Sequence, residues 1–221
     1  LAEECHAQGC LLVVAFNPVS LGILKTPGAM GADIAVAEGQ SLGLPLGFGG
    51  PYLGILTARK SHIRKMPGRI AAATTDDRDR RGFVLTLQAR EQHIRREKAL
   101  SNICSNQALC ALRALIHLCL LGKAGFEATA QACYAKTEYL KKQMNFLPLL
   151  NTHPTFNEFA VRLPKPATEV IEALQPRGFL PGIPLEPFGW EPGDLLIAVT
   201  EKRVRAELDA FAAAMKEGCH G

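Results

Sequence analysis

Six consecutive apolar residues, Leu11 to Phe16, stop abruptly at Asn17-Pro18. A run of that length without polar alternation marks a strand buried on both faces, and such strands belong to parallel sheets covered by helices. Asp33 to Ala37 is a second short strand, and Tyr52 to Thr57 a third. Between them lies Gly39 to Pro51, with five glycines and two prolines, which no regular element tolerates. Residues 1–9 read as the tail of a helix, with Gly9 suited to its C-terminal cap. Helix, strand, connection, strand and glycine loop make half of an α/β sheet whose beginning is missing. The opening Leu-Ala-Glu-Glu-Cys, without an initiating Met, fits a start inside a longer protein.

At 221 residues, 48% hydrophobic and 21% charged, the chain is neither disordered nor fibrous. A helix from about Ser101 to Leu121 is apolar nearly all round, which predicts burial. A second runs from about Phe126 to Asn145, with Phe126, Ala130, Cys133, Thr137, Leu140 and Met144 on one face. Leu147 to Pro154 marks a boundary. Beyond it Glu158 to Leu163 alternates, Ala167 to Leu174 is a short helix, Leu195 to Val199 a strand, and Lys202 to Lys216 an amphipathic helix. The pattern divides the chain into a large-domain portion, 1–145, and a small α+β domain, 146–221. No uninterrupted apolar stretch reaches the ~20 residues a membrane helix needs. The most apolar segment, 108–121, carries Arg113 and His117 and stops at Gly122, so no membrane partner is expected.

The chemistry of the residues is quiet. Seven cysteines with no C-x-x-C pair favour neither a disulfide framework nor a zinc knuckle, and point to the reducing cytoplasm. Cys104, Cys110, Cys119 and Cys133 fall among apolar helical residues, where Cys is a small core side chain. Six histidines offer no metal-binding spacing, and no G-x-S-x-G elbow is present. Charge is uneven: residues 59–98 hold twelve Lys and Arg against five Asp and Glu, a local net of +7 on a chain of net +4. That could attract nucleic acid, a phosphate-bearing cofactor or an acidic protein, or be a solvated face. Phe83 is the lone aromatic there, which weakens the nucleic-acid reading. The glycine loop matches neither phosphate-binding fingerprint; it is either an anion cradle or a tight passage between strands. Arg90, Arg95, Arg96 and Lys98 bunch ahead of a helix start where Ser101 or Asn102 can cap. Basic side chains, hydroxyls and a positive helix end make a phosphate site; the plainer alternative is a capped helix with a charged entry turn.

Gly31 to Gly54, Met66-Pro-Gly-Arg-Ile70, Arg81 to Gln88, Arg90 to Ala99 and Ser101-Asn-Ile-Cys104 carry a resemblance. Together with Val199-Thr-Glu-Lys-Arg203 they resemble, in order, the glycine decarboxylase P-protein family, and more narrowly its first subunit or N-terminal half. The likeness is weakest from about Ala132 to Pro192. It implies a partial large domain of the pyridoxal-phosphate aspartate-aminotransferase type (fold type I) with a small C-terminal α+β domain. Such enzymes hold pyridoxal phosphate on a Lys after a strand, and an Asp about two dozen residues earlier pairs with the pyridine nitrogen. The Lys position corresponds to Gln40 or Ser41, and the Asp position to Asn17. The resemblance therefore implies a subunit unable to hold the cofactor covalently, paired with a homologous Lys-bearing subunit 2, as in a heterotetramer. Ser101 and Asn102 would then offer a helix end to the cofactor phosphate, with Arg95 and Arg96 adding positive potential. The implied activity is that of glycine dehydrogenase (aminomethyl-transferring), an oxidoreductase of glycine catabolism in the glycine cleavage system. Glycine is decarboxylated and its aminomethyl group passed to the lipoyl group of H-protein, which the basic segment could alternatively face. The competing readings are a purely structural, degenerate partner subunit and a nucleic-acid-binding module built on 59–98.

Overall fold

The computed structural model describes residues 1–99 and 106–220. They form two compact units, one of residues 1–18 and 25–120, the other of 19–24 and 121–221.

In the first unit, α1 (Ala2–Ala7) leads into β1 (Val13–Ala15), β2 (Ile34–Glu38) and β3 (Gly54–Ala58), a sheet of order β1-β2-β3. β1 runs parallel to β2 with Ala15 opposite Val36, and β3 returns antiparallel with Val36 opposite Leu56. All three strands lie within two residues of their expected positions, but β1 is an edge strand. Leu11 and Val13 are exposed rather than buried on both faces, because the sheet carries no neighbour beyond β1 among the described residues. The buried side chains described in this unit are few and mostly small: Pro18, Pro27, Ala32, Asp33, Ala35, Leu42, Leu44, Cys110 and Ala114. A hairpin of β4 (Ile70–Thr75) and β5 (Arg81–Thr86) follows, which the sequence did not announce. β4 is mostly Ala and Thr, and β5 runs Gly82, Phe83, Val84 and Leu85 in succession, so neither shows the alternation that marks one buried face. A four-residue helix, α2 (Gln92–Arg95), lies near the end of the basic segment.

Helix α3 (Ala108–Gln143) is broken at Gly122, whose φ of 60° and ψ of −176° are open essentially only to glycine. Its first segment, 108–121, corrects the expectation of burial. Leu109, Leu112, Leu115, Ile116 and Leu120 are all exposed, while Cys110 and Ala114 face the unit's interior. Of the four cysteines expected in the core, Cys110 and Cys133 are buried, Cys119 is exposed, and Cys104 lies outside the described residues. By length and composition alone α3 would reach across a membrane, a reach that counting residues up to Gly122 had denied it. The break interrupts the backbone ladder such a span relies on.

The second unit is the better packed. Segment 123–143 of α3 presents Ala130, Cys133, Thr137 and Leu140, with Met144 just beyond, as the buried face its periodicity predicts. β6 (Glu158–Arg162), β7 (Ile183–Pro184) and β8 (Asp194–Ala198) make an antiparallel sheet of order β6-β8-β7. α4 (Ala167–Leu174) and α5 (Arg205–His220) complete the unit, and Phe159, Val161, Val170, Leu174, Leu195, Ile197 and Met215 share one core with Leu140. Within it Arg162 forks onto the buried Asp194 carboxylate at 2.7 and 3.0 Å, and the Glu191 N–H donates to the same carboxylate at 3.2 Å. A charge so enclosed needs that many partners to remain ionised.

Candidate functional site

In α/β sheets ligands gather at the carboxyl ends of the parallel strands. Here that edge is built by residues just after β1 and β2. The Phe16 N–H donates to the Val36 carbonyl at 3.1 Å, which continues the ladder and brings Asn17 to the edge where Glu38, Gly39 and Gln40 leave β2. The two positions expected to matter, Asn17 and Gln40-Ser41, are thus brought together by strand register.

The glycine loop turns this edge back into β3. Gly39 donates to the Leu53 carbonyl at 2.7 Å, and the Glu38 carboxylate accepts from the Gln40 N–H at 3.0 Å and the Leu53 N–H at 3.1 Å. The Leu42 and Leu44 N–H groups bond to the Gly39 and Gln40 carbonyls, Gln40 Nε2 donates to the Leu44 carbonyl at 2.8 Å, and the Gly47 N–H donates to the Tyr52 hydroxyl at 2.9 Å. Five backbone donors, those of Gly39, Gln40, Leu42, Leu44 and Gly47, are therefore engaged within the loop and its flanks. Of the two readings of this loop, the geometry is that of a tight passage. Gly43 has φ +86°, and a Cβ there would fall 2.6 Å from the His117 ring, so the loop presses on α3 where only glycine fits. Cys110 Sγ, two turns earlier on the same helix face as His117, donates to the Pro51 carbonyl at 3.7 Å.

No lysine lies between Lys25 and Lys60, so no amine projects from this edge. Gln40 offers an amide already bonded to Leu44, Ser41 a hydroxyl, and Glu38 a carboxylate that repels phosphate. These residues do not fit covalent attachment of a pyridoxal cofactor.

The other expected site residues stand elsewhere in the unit. Arg95 closes α2 with its Nε donating to the Ala89 carbonyl at 2.9 Å, and Arg96 follows with φ 53°; both side chains are exposed. Ser101 and Asn102 lie outside the described residues. α3 begins at Ala108, and Asn106 Oδ1 accepts from the Ala108 N–H at 3.1 Å.

Sequence reasoning missed a charged cluster at the opposite end of β2. The buried Asp33 carboxylate accepts from the Leu12 N–H at 2.9 Å, meets His6 Nε2 at 2.8 Å and Arg59 Nε at 3.2 Å. The Leu12 bond first, then His6, hold its carboxyl below the ordinary carboxylate range. The one available signal was an acid inside an otherwise apolar strand start. In the second unit an open groove of about 510 Å³ is lined by Tyr139, Arg205, Asp209 and Lys216, among others. In it the Tyr139 hydroxyl donates to Asp209 at 2.5 Å and Arg205 Nε donates to that hydroxyl at 3.0 Å. No cluster able to hold a metal occurs among the described residues.

Comparison with known proteins matches residues 1–215 to the glycine cleavage system P-protein family. The chain is 51% identical over 223 residues to the probable glycine dehydrogenase (decarboxylating) subunit 1 of Citrifermentans bemidjiense, covering 98% of this chain and 50% of that protein. It is 56% identical over 206 residues to the like-named protein of Nitratidesulfovibrio vulgaris, covering 91% and 46%. A crystal structure of glycine decarboxylase (P-protein) of the glycine cleavage system, in inhibitor-bound form, superposes with a TM-score of 0.91 at 44% identity, over 98% of this chain and 50% of that one. An aspartate aminotransferase from Thermus thermophilus, at TM-score 0.58 and 19% identity over the whole of this chain and 59% of its own, shares the fold alone. The chain spans about half the length of the curated relatives it matches.

Proposed function

The chain belongs to the glycine cleavage system P-protein family, and from that premise we propose that it serves glycine decarboxylation as the subunit without the cofactor lysine. The assembly it works in takes glycine, releases carbon dioxide and passes the aminomethyl group to a lipoyl arm on H-protein. Pyridoxal phosphate is held covalently by the Lys-bearing subunit, in a cytoplasmic heterotetramer. The observation that carries this reading is the sheet edge at Asn17 and Gln40-Ser41, which presents amides and a hydroxyl where an amine and a carboxylate would be needed. No chemical step falls to a side chain at that edge. This chain's share is to complete the partner's site, with Ser101, Asn102, Arg95 and Arg96 turned to the cofactor phosphate.

The test combines the full-length subunit with its Lys-bearing counterpart and H-protein, and measures exchange of carbon dioxide with the glycine carboxyl. Exchange should require both subunits. Borohydride reduction should fix the cofactor on the counterpart and leave this chain unlabelled; a labelled peptide near residue 40 would overturn the reading. The purely structural alternative draws support from the engaged donors of the glycine loop. Substituting Ser101 and Asn102 together by Ala separates the two. Cofactor affinity in the assembled complex should fall about a hundredfold or more, as for two lost hydrogen bonds to a charged group; unchanged affinity favours the structural role.

A further inference from the structure

The β4–β5 hairpin pairs with no other strand among the described residues. Its register sets Ala71 opposite Leu85 and Ala73 opposite Phe83, and these four share one face. That face is open: Phe83 is 68% exposed and Leu85 43%. A two-stranded hairpin is marginal in water without a surface to pack on, and a contiguous exposed apolar stripe marks a docking surface.

The stripe also has the composition of an interface centre. The Arg81 guanidinium lies 5.3 Å from the centroid of the Phe83 ring, and aromatic residues with Arg carry most of the energy where proteins meet. Its surroundings are basic. Lys60, Arg64, Lys65 and Arg69 lead into β4 with exposed side chains, within the stretch of net +7. At the tip the Asp76 carboxylate is engaged internally, accepting from the Arg78 and Arg80 N–H groups and from Arg80 Nε at 2.8 to 2.9 Å. Asp77 and Asp79 are exposed at that tip beside Arg78 and Arg80, so the cationic rim lies at the other end, on the approach into β4. The complement of the apolar centre and that rim is an apolar hollow edged by carboxylates.

We propose that this face docks on such an acidic-rimmed hollow of the Lys-bearing subunit, a proposal that rests on the two-subunit reading above. The subunit-1 name carried by the relatives supplies a second chain to bind, and a folded protein buries Phe83 and Leu85, which a nucleic-acid phosphate backbone does not. The Arg81–Phe83 pair anchors the contact while the basic approach speeds encounter.

The experiment measures binding of the full-length subunit to the purified Lys-bearing subunit across salt concentrations, with no catalysis involved. Phe83→Ser with Leu85→Ser should weaken binding about tenfold or more, and Arg64→Glu with Arg69→Glu should flatten its salt dependence. Amide hydrogen exchange of residues 70–86 in the wild-type chain guards against a variant that fails to fold: protection should arise only when the partner is added. The proposal falls if wild type and both variants bind alike, or if those amides are already protected in the unpartnered subunit, which would mean that another part of the same polypeptide covers them. It also falls if the variants lose affinity for H-protein or for RNA alone. Failure of the wild-type subunits to bind at all would instead strike the two-subunit reading itself.

Discussion

Asp33 ties three pieces of chain to one carboxylate: Leu12 before β1, His6 in α1 and Arg59 after β3. Its lowered carboxyl binds its proton more weakly in the folded chain than in the unfolded one. The stabilisation is therefore complete above the unfolded value of about 3.9 and is lost as pH falls through the lowered one. Asp33→Asn should melt below wild type at pH 7, with the gap narrowing as the pH is taken below about 4; a gap constant into acid would contradict this. In the second unit Asp194 has no exposure, so Asp194→Ala should cost about 3 kcal/mol in urea unfolding, the low end for a broken buried pair because Arg162 is half exposed. Burial pushes the Cys133 thiol up to about 11, with its Sγ 3.4 Å from a Glu201 oxygen. At pH 8 a maleimide should modify exposed Cys10 within minutes and leave Cys133 untouched until the protein is denatured.

At the scale of elements, the sequence is legible wherever the cover for an apolar face lies in the same chain. Segment 123–143 of α3, β6, α4 and β8 fall where their periodicity places them, because each packs into the one core around Phe159 and Leu195. The same rule misreads 108–121 and β1. Their apolar residues imply burial, yet Leu112, Leu115 and Val13 meet no cover among the described residues. The candidate edge was legible for a different reason: the family resemblance implied Asn17 and Gln40-Ser41, and the parallel register of β1 on β2 sets where they emerge. The start of α3 at Ala108 was not legible: Asn106, whose Oδ1 accepts from the Ala108 N–H, is one of several residue types competent to cap a helix. The break in α3 provides an element-scale test. Gly122→Ala puts a Cβ on a backbone with φ 60° and ψ −176°, and nothing lies within 4 Å to clash with it. Any loss is therefore backbone strain, of order 1–3 kcal/mol. Circular dichroism should show a lowered melting temperature; an unchanged or raised one would mean that 108–121 and 123–143 can join as one straight helix.

For the molecule as a whole, the imbalance between its two units has a measurable consequence. One unit is organised about large, fully buried side chains, the other about alanines, a cysteine and two leucines. Six large apolar side chains of 108–121 face outward, and burying each is worth about 2 kcal/mol, so roughly 12 kcal/mol of hydrophobic stabilisation goes unused in the 221-residue chain by itself. That is as large as the whole folding stability of an ordinary domain. The 221-residue chain should therefore bind a hydrophobic dye and self-associate with rising concentration, as exposed apolar patches do. Replacing Leu112 and Ile116 together by Lys should suppress both effects while leaving the unfolding of the second unit unchanged. Phe159→Ala should act in the opposite sense, lowering that unit's stability by about 3–5 kcal/mol through the cavity it leaves, with dye binding by the native chain unaltered. A wild-type chain that sediments as a monomer and stays dark with the dye would mean that 108–121 folds back against its own unit, and the exposed helix face would then have no consequence for assembly.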